Sequence, residues 1–311
     1  MSTQQAFFEG TEKLLEIWFA SSDSTQSTQD GRVHDLREIS KDDWSELLTY
    51  ANCSILSEVS SNDITAYLLS ESSLFVSSNR FILKTCGVTT LLNALAPLLK
   101  LAKEKCNFDI VENAFYSRRK FQQPHLQKGP HNSFDTEVTT LENFFENGAA
   151  YALGRLNGDT CLDPSVMAKF TIGEQSGEEI AKEMGIADLV PGATIDAKLF
   201  DPCGYSINGV VNNFYFTIHV TPQHCCSYVS FETNYPQSSY RHMIETVINI
   251  FKPGSFVMTL FANEHASCKA IAVECLNDTF DGYCRQDYQF SQFRLYSLLY
   301  SHYIKETPKI R

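Results

Sequence analysis

The chain has 311 residues, 43% hydrophobic and 20% charged, with a net charge of −12 and an isoelectric point of about 5.1. This is globular composition, long enough for one large layered domain and unlike a fibrous or disordered chain. An acidic chain with no long basic run is a poor partner for nucleic acid or an anionic membrane.

The longest apolar stretch, residues 91–101, contains Asn93, Pro97 and Lys100 and is too short to cross a bilayer. The first twenty residues carry Glu9, Glu12, Lys13 and Glu16, unlike a signal peptide. The ten cysteines include no C-x-x-C pair, so the usual zinc spacings are missing and no metal is expected. The expectation is a cytoplasmic protein with reduced thiols, most of them buried as small apolar side chains.

In chain order, Leu14, Leu15 and Trp18 have helical spacing and predict a helix over 8–19. Residues 21–32, rich in Ser, Thr, Gln and Asp, predict a loop, and 42–51 a helix. Four short runs, 53–59, 64–69, 74–76 and 81–85, predict closely spaced antiparallel strands. Thr89 or Thr90 would cap a helix to about residue 105, kinked at Pro97. A strand over 108–116, a helix over 134–146 and a strand over 149–156 follow. Ser176 with Glu179 forms a capping-box pattern for a helix ending at Met184. Runs 194–200, 214–220, 228–233, 256–261 and 269–275 predict strands, with a helix over 239–251 stopped by Pro253-Gly254. The tail from Asp281 reads as aromatic and irregular. Strand clusters separated by a few helices define an α+β protein: antiparallel sheets with helices on their outer faces.

One tripeptide stands between two predicted strands, Glu71-Ser72-Ser73. Alone it is a polar turn. Its surroundings, from Leu69 through Lys84-Thr85-Cys86-Gly87 to Thr90, resemble the processing-site region of eukaryotic S-adenosylmethionine decarboxylases. Three further blocks share the resemblance: Phe7-Phe8-Glu9-Gly10-Thr11-Glu12-Lys13; Phe200-Asp-Pro-Cys-Gly-Tyr-Ser206; and Ile218-His219-Val-Thr-Pro with Tyr228-Val-Ser-Phe-Glu232. These blocks are ordered and spread from residue 7 to about 261.

The resemblance implies a four-layer α/β/β/α sandwich of two antiparallel sheets, one domain over 1–311. It also implies a chain that cuts itself into 1–71 and 72–311. In this scheme the Ser72 hydroxyl attacks the Glu71 carbonyl, and β-elimination leaves a covalent pyruvoyl cofactor at residue 72. Its Schiff base with S-adenosylmethionine would serve as the electron sink for decarboxylation, in the service of spermidine and spermine synthesis. His219 resembles the processing base and Ser206 an assisting hydroxyl. Cys86 resembles the proton donor, and a thiol with a reference pKa of about 8.5 suits that task. Glu9 and Glu12, three apart on the predicted helix, match acidic positions tied to activity.

Phe8 and Phe200 match the aromatics that sandwich the adenine, and Glu71 a substrate contact. Each of these residues also has an ordinary reading as a packed, capping or solvated side chain. Glu16, Lys84, Phe115, Ser117, Glu232 and Phe261 match a charged interior region that binds the activator putrescine in relatives. The family further suggests a homodimer of cleaved heterodimers.

Two departures stand out. Gln223 replaces the family's ribose-binding glutamate, which predicts weaker ribose contact unless His224 or another group compensates. After Asn157 a stretch is missing that holds acidic activator ligands in relatives, so putrescine activation is not expected to carry over. These departures motivate a rival reading, a non-catalytic relative that regulates or pairs with an active decarboxylase. A hydrolase pairing Cys86 with His219 is a third class.

Overall fold

In the computed structural model, which describes residues 7–22, 34–154, 162–171, 173–223, 226–267 and 279–306, the backbone is organised by where each strand finds its partners. A six-stranded antiparallel sheet has the order β2 (Ile55–Ser60), β3 (Ile64–Leu69), β4 (Ser72–Ser77), β5 (Arg80–Thr85), β1 (Lys13–Ala20), β6 (Ile110–Arg118). Its outer face is covered by α1 (Lys41–Tyr50) and α2 (Leu95–Cys106). Trp44, Leu47, Leu95 and Leu98 pack there with Leu15, Ile17, Leu74 and Leu83 in one apolar cluster. Full burial of each such side chain is worth roughly 1.5–3 kcal/mol. α3 (Phe134–Glu142) adds Leu141 to the edge of this cluster.

The second β layer consists of two hydrogen-bonded sheets. One has the order β10 (Tyr228–Thr233), β9 (Phe214–Thr221), β8 (Tyr205–Val211), β7 (Thr194–Leu199). The other has the order β11 (Ser255–Asn263), β13 (Tyr296–Lys305), β12 (Tyr283–Gln292). α4 (Pro164–Met167), α5 (Gly177–Glu183) and α6 (Arg241–Phe251) cover the four-stranded sheet through Val166, Ile180, Met243 and Phe251. α6 also reaches the three-stranded sheet, where Ile248 packs with Tyr303. Between the two β layers, Ile64, Ala66, Phe75 and Ile82 meet Val210 and Tyr215. Outer clusters on both sides and an inner one between the sheets make this the expected α+β sandwich.

Several elements differ from the sequence reading. Residues 8–19 form no helix. Lys13–Ala20 is a strand whose buried side alternates through Leu15, Ile17 and Phe19. Its other side carries Leu14, which packs on the cluster between the two β layers, and Trp18, so both sides hold apolar residues and the period-2 signal fades and mimics helical spacing. Glu9 and Glu12 therefore do not share a helix face. Pro97 does not kink a helix: a 3-10 turn at Leu91–Ala94 comes first, and Pro97 lies in the first turn of α2, where its missing N–H is tolerated.

α3 stops at Glu142. Residues 149–153 form no strand; the segment packs by side chain and single contacts against the three-stranded sheet, Tyr151 on Phe293 and Gly154 N–H to Gln289 Oε1. The tail is not irregular but a long hairpin, β12–β13. The predicted strand over 269–275, most of the loop over 21–32, residues 155–161 and His224 lie outside the described residues. The capping box at α5 forms with both of its hydrogen bonds.

Candidate active site

Ser70 and Glu71 make a two-residue connection, since Leu69 of β3 pairs with Ser72 of β4. Successive strand residues point to opposite faces. Ser73, Phe75 and Ser77 should face the opposing sheet, and Ser72 should not. Ser72 nevertheless has a φ of 126°, a region costly for any residue with a Cβ. This turns its hydroxyl to the same side as that of Ser73. Ser72 is 2% exposed.

Both hydroxyls lie against His219 of β9. Ser72 Oγ is 3.2 Å and Ser73 Oγ 3.0 Å from His219 Nε2. The opposite nitrogen, Nδ1, is 2.6 Å from Glu12 Oε1. That contact assigns the ring proton to Nδ1 and leaves Nε2 as an acceptor. Ser73 gives its single proton to Asn208 Oδ1 at 2.7 Å. Ser72 Oγ also lies 3.3 Å from Nδ1, so its proton has Nε2 or Glu12 Oε1, 3.2 Å away, as acceptor. Thr217 Oγ1 flanks the same nitrogen at 3.3 Å.

Charge is balanced across the layers. Burial pushes the Glu12 carboxyl up, but Lys84 and then His219 more than offset it and hold it far below the usual carboxylate range. Burial lowers Lys84, but Glu12 and Glu232 more than restore it and raise it above an ordinary lysine. Lys84 Nζ stands 3.4 Å from Glu12 and 3.2 Å from Glu232. Each of these buried charges thus has a partner, as burial demands.

On the other side of the 71–72 peptide, Cys86 follows β5. Its N–H donates to the Glu71 carbonyl oxygen at 3.0 Å, and its Sγ lies 3.6 Å from the same oxygen and 3.9 Å from Glu71 Oε2. Burial, with Glu71 and Glu12 behind it, pushes the Cys86 thiol well up. Burial also raises the Glu71 carboxyl. Gly87, at a φ of 63°, turns the chain away, and a side chain there would press on Glu71 and the Phe8 ring at 3.2 Å. A cavity of about 220 Å³ opens here, lined by Phe8, Glu9, Glu71 and Gly87 together with Asn52 and Lys128. Its apolar walls and few polar groups are what a small-molecule site requires.

Of the substrate candidates, Phe8 and Glu71 line this cavity. Gln223 joins them from behind: buried at 6% exposure, its Oε1 accepts the Phe8 N–H at 3.2 Å and the Cys226 Sγ at 3.3 Å. Phe200 follows β7 directly, beside Gly204, and is not among the residues that line this cavity. Ser206 is buried directly across from His219 in the β8–β9 ladder. Glu9 is engaged elsewhere: its Oε2 accepts Gln122 N–H at 2.8 Å and Gln123 N–H at 3.0 Å, and its backbone oxygen accepts Gly87 N–H at 2.8 Å.

The interior region divides. Glu16 is paired with Arg80 at 2.8 Å, and Glu232 with Lys84 and the Tyr215 hydroxyl. Phe115 and Phe261 meet with ring centroids 5.1 Å apart, whereas Ser117 is exposed on β6. Sequence reasoning missed Lys13, Arg80, Tyr215, Asn208 and Thr217. Ser206 and Asn208 on one strand, and Tyr215, Thr217 and His219 on the next, have the period-2 spacing that could have marked all of them as one inward face. Cys86 and His219 share no contact among the described residues, so the Cys–His pair of a hydrolase is not formed. Nor do three or more His, Cys, Asp or Glu side chains gather to hold a metal ion among those residues.

A serine in strained backbone, a carboxylate-bound histidine beside its hydroxyl and a backbone donor on the preceding carbonyl meet at the 71–72 peptide. The comparisons give the class. The adenosylmethionine decarboxylase family model matches residues 5–161 and 160–304, two pieces meeting where the sequence is short. S-adenosylmethionine decarboxylase proenzymes are similar along their length: that of Xenopus laevis is 42% identical over 97% of each chain. That of Drosophila melanogaster is 40% identical over 96% of this chain and 95% of its own. The crystal structure of Trypanosoma brucei AdoMetDC-delta26 monomer has the same fold, with a TM-score of 0.58, 23% identity and coverage of 75% of this chain and 99% of that one. The chain belongs to the adenosylmethionine decarboxylase family.

Proposed function

We propose that this chain cuts itself between Glu71 and Ser72 and that the cleaved pair, 1–71 with 72–311, decarboxylates S-adenosylmethionine to S-adenosylmethioninamine for polyamine synthesis. The observation that carries this is the Ser72 hydroxyl, held by a φ of 126° against His219 while Cys86 N–H binds the Glu71 carbonyl oxygen.

In the first step the bond from Ser72 Oγ to the Glu71 carbonyl carbon forms and the amide C–N bond breaks. His219 Nε2 takes the hydroxyl proton, and the amide nitrogen leaves as an amine. The Cys86 N–H, already on the carbonyl oxygen, stabilises the oxyanion that develops there. Strain at Ser72 raises the amide toward this transition state. His219 passes the hydroxyl proton to the leaving amine and, neutral again, takes the α-proton of residue 72; the Cβ–O bond breaks and Glu71 is released as a carboxylate. Hydrolysis of the remaining dehydroalanine frees ammonia and leaves the pyruvoyl group.

The residues fit that group: its carbonyl would stand at position 72, between the cavity and the His219 cluster. Bound there, the pyruvoyl group supplies an electrophile for the substrate amine and a sink for the electrons of CO₂ loss. Phe8 offers an aromatic face to adenine or to the sulfonium, an attraction of roughly 0.5–2 kcal/mol. Gln223 fixes the Phe8 backbone, and Glu71 borders the same cavity. Cys86 is the proton donor beside position 72. Assembly as a dimer of cleaved pairs belongs to the same reading. So does independence from putrescine.

Intact mass spectrometry under denaturing, reducing conditions tests this. Two chains divided at 71–72, with a pyruvoyl mass on the larger, are expected. A single uncut chain that releases no CO₂ would refute it and favour a regulatory relative.

A further inference from the structure

Lys13 heads the row Leu15, Ile17, Phe19, the side of β1 that faces the helix-covered apolar core. A lysine at the end of such a row breaks the binary pattern, and breaks of this kind concentrate at functional positions. Its side chain is fully buried at 0% exposure. Nζ donates to the Gly87 carbonyl oxygen at 3.1 Å and to Gln127 Oε1 at 3.3 Å, and lies 5.1 Å from the centre of the Phe121 ring. The Gln127 amide donates to the same Gly87 oxygen at 3.3 Å, and Gly87 N–H is held by Glu9. The peptide units around Gly87 are thus gripped on both sides, immediately after Cys86.

We propose that Lys13 is a positioning residue for Cys86: it fixes the Cys86–Gly87 corner and supplies the positive charge that lets this thiol give up a proton among carboxylates. This rests on the reading of Cys86 as proton donor. The groups acting on the thiol besides burial are Glu71, Glu12 and Cys53, all raising it, and Lys13, which lowers it. Cleavage would add one more negative charge, since the Glu71 carbonyl oxygen that now faces Cys86 N–H would become part of a carboxylate. Lys13 also faces Glu9 and Glu137. Glu137 is already engaged by Arg118 Nε at 2.6 Å and by His131 Nδ1 at 2.8 Å. Its attraction is therefore largely spent on them, and the Lys13 charge remains available to the Cys86 side. Burial lowers Lys13 itself to about 8, so it is still mostly charged at neutral pH.

The test measures Cys86 alkylation by iodoacetamide against pH, read by peptide mass spectrometry, with kcat and KM for CO₂ release. Lys13→Met is expected to slow alkylation at pH 7, where Lys13 is still charged, about tenfold and to lower kcat about tenfold with KM within about twofold; above pH 8, where Lys13 loses its own proton, the two alkylation profiles should converge. Lys13→Arg should keep the pH 7 rate. Should Lys13→Met fail to fold, Lys13→Gln carries the same expectations. An unchanged pH 7 rate and kcat in the neutral variant would overturn the proposal. A wild-type chain that is uncut or inactive would instead refute the function, and the alkylation profile would still decide the role of Lys13.

Discussion

Ser72 and Ser73 are adjacent in one strand, yet both hydroxyls lie within 3.2 Å of His219 Nε2. Only the left-handed backbone at Ser72 permits this, and only the bond from Ser73 to Asn208 separates their roles. With Asn208 replaced by Ala, the Ser73 proton turns to His219 and competes with that of Ser72. Asn208→Ala is therefore expected to slow chain cutting about tenfold, as loss of a proton-transfer geometry does. Ser73→Ala in that background should restore much of the rate. A gel time course of newly folded chain checks this; equal rates in the single and double variants would refute it.

The Glu12–His219 contact at 2.6 Å orients the ring. Glu12→Gln should slow cutting about a hundredfold. Its pH signature has a definite sign. The folded carboxyl lies below its ordinary value of 4.5, so its contribution to stability is complete above pH 4.5 and disappears as pH falls toward the folded value. Between pH 5 and pH 2 the wild-type melting temperature should fall more steeply than that of Glu12→Gln. Parallel curves by calorimetry would contradict this.

The processing motif, α1, the strands β2–β5 and the α5 capping box were legible in the sequence because each is local: a turn, a cap or a short apolar run. β1 was not, because a strand covered on both faces loses its alternation. The β12–β13 hairpin was not, because no residue of β12 is buried and half are exposed, so it reads as polar and aromatic residues without a pattern. Ser72, Cys86, Glu12 and His219 stand out in the sequence only through their motif. Which partner each would take was not legible, since β4, β5, β1 and β9 meet only in three dimensions. Lys13 lies in the Phe7–Lys13 block, and only its full burial distinguishes it from an ordinary surface charge.

Whatever ribose contact its position makes, Gln223 holds the Phe8 N–H through its Oε1 at 3.2 Å. A glutamate would keep that acceptor and strengthen hydrogen bonds to a ribose hydroxyl. Gln223→Glu is expected to lower KM a few-fold with kcat unchanged. Gln223→Leu should release Phe8 and raise KM about tenfold. Steady-state CO₂ release measures both; an unchanged or higher KM in the Glu variant would show that the ribose does not reach this residue.

The interior carboxylates leave little for a diamine to neutralise. Glu16 is held by Arg80, and Glu12 and Glu232 by Lys84. Arg80 also lies over the rings of Trp18 and Tyr215, at 4.9 and 5.7 Å, and Tyr215 donates to Glu232 at 2.7 Å. The chain of contacts Glu16–Arg80–Tyr215–Glu232–Lys84–Glu12–His219 therefore runs from the interior to the cleavage site with every carboxylate already in contact with a cation, Lys84 being shared by two of them. A dication entering here would meet two resident cations and lose its hydration for the single negative charge by which three carboxylates exceed them. Putrescine up to millimolar concentrations is expected to leave both cutting rate and kcat within about twofold, the scale of weak screened charge effects. Arg80→Met removes one resident charge, strands Glu16 and should slow cutting while making it responsive to putrescine. A stimulation of the wild-type chain by more than about tenfold would mean that a further carboxylate faces this interior.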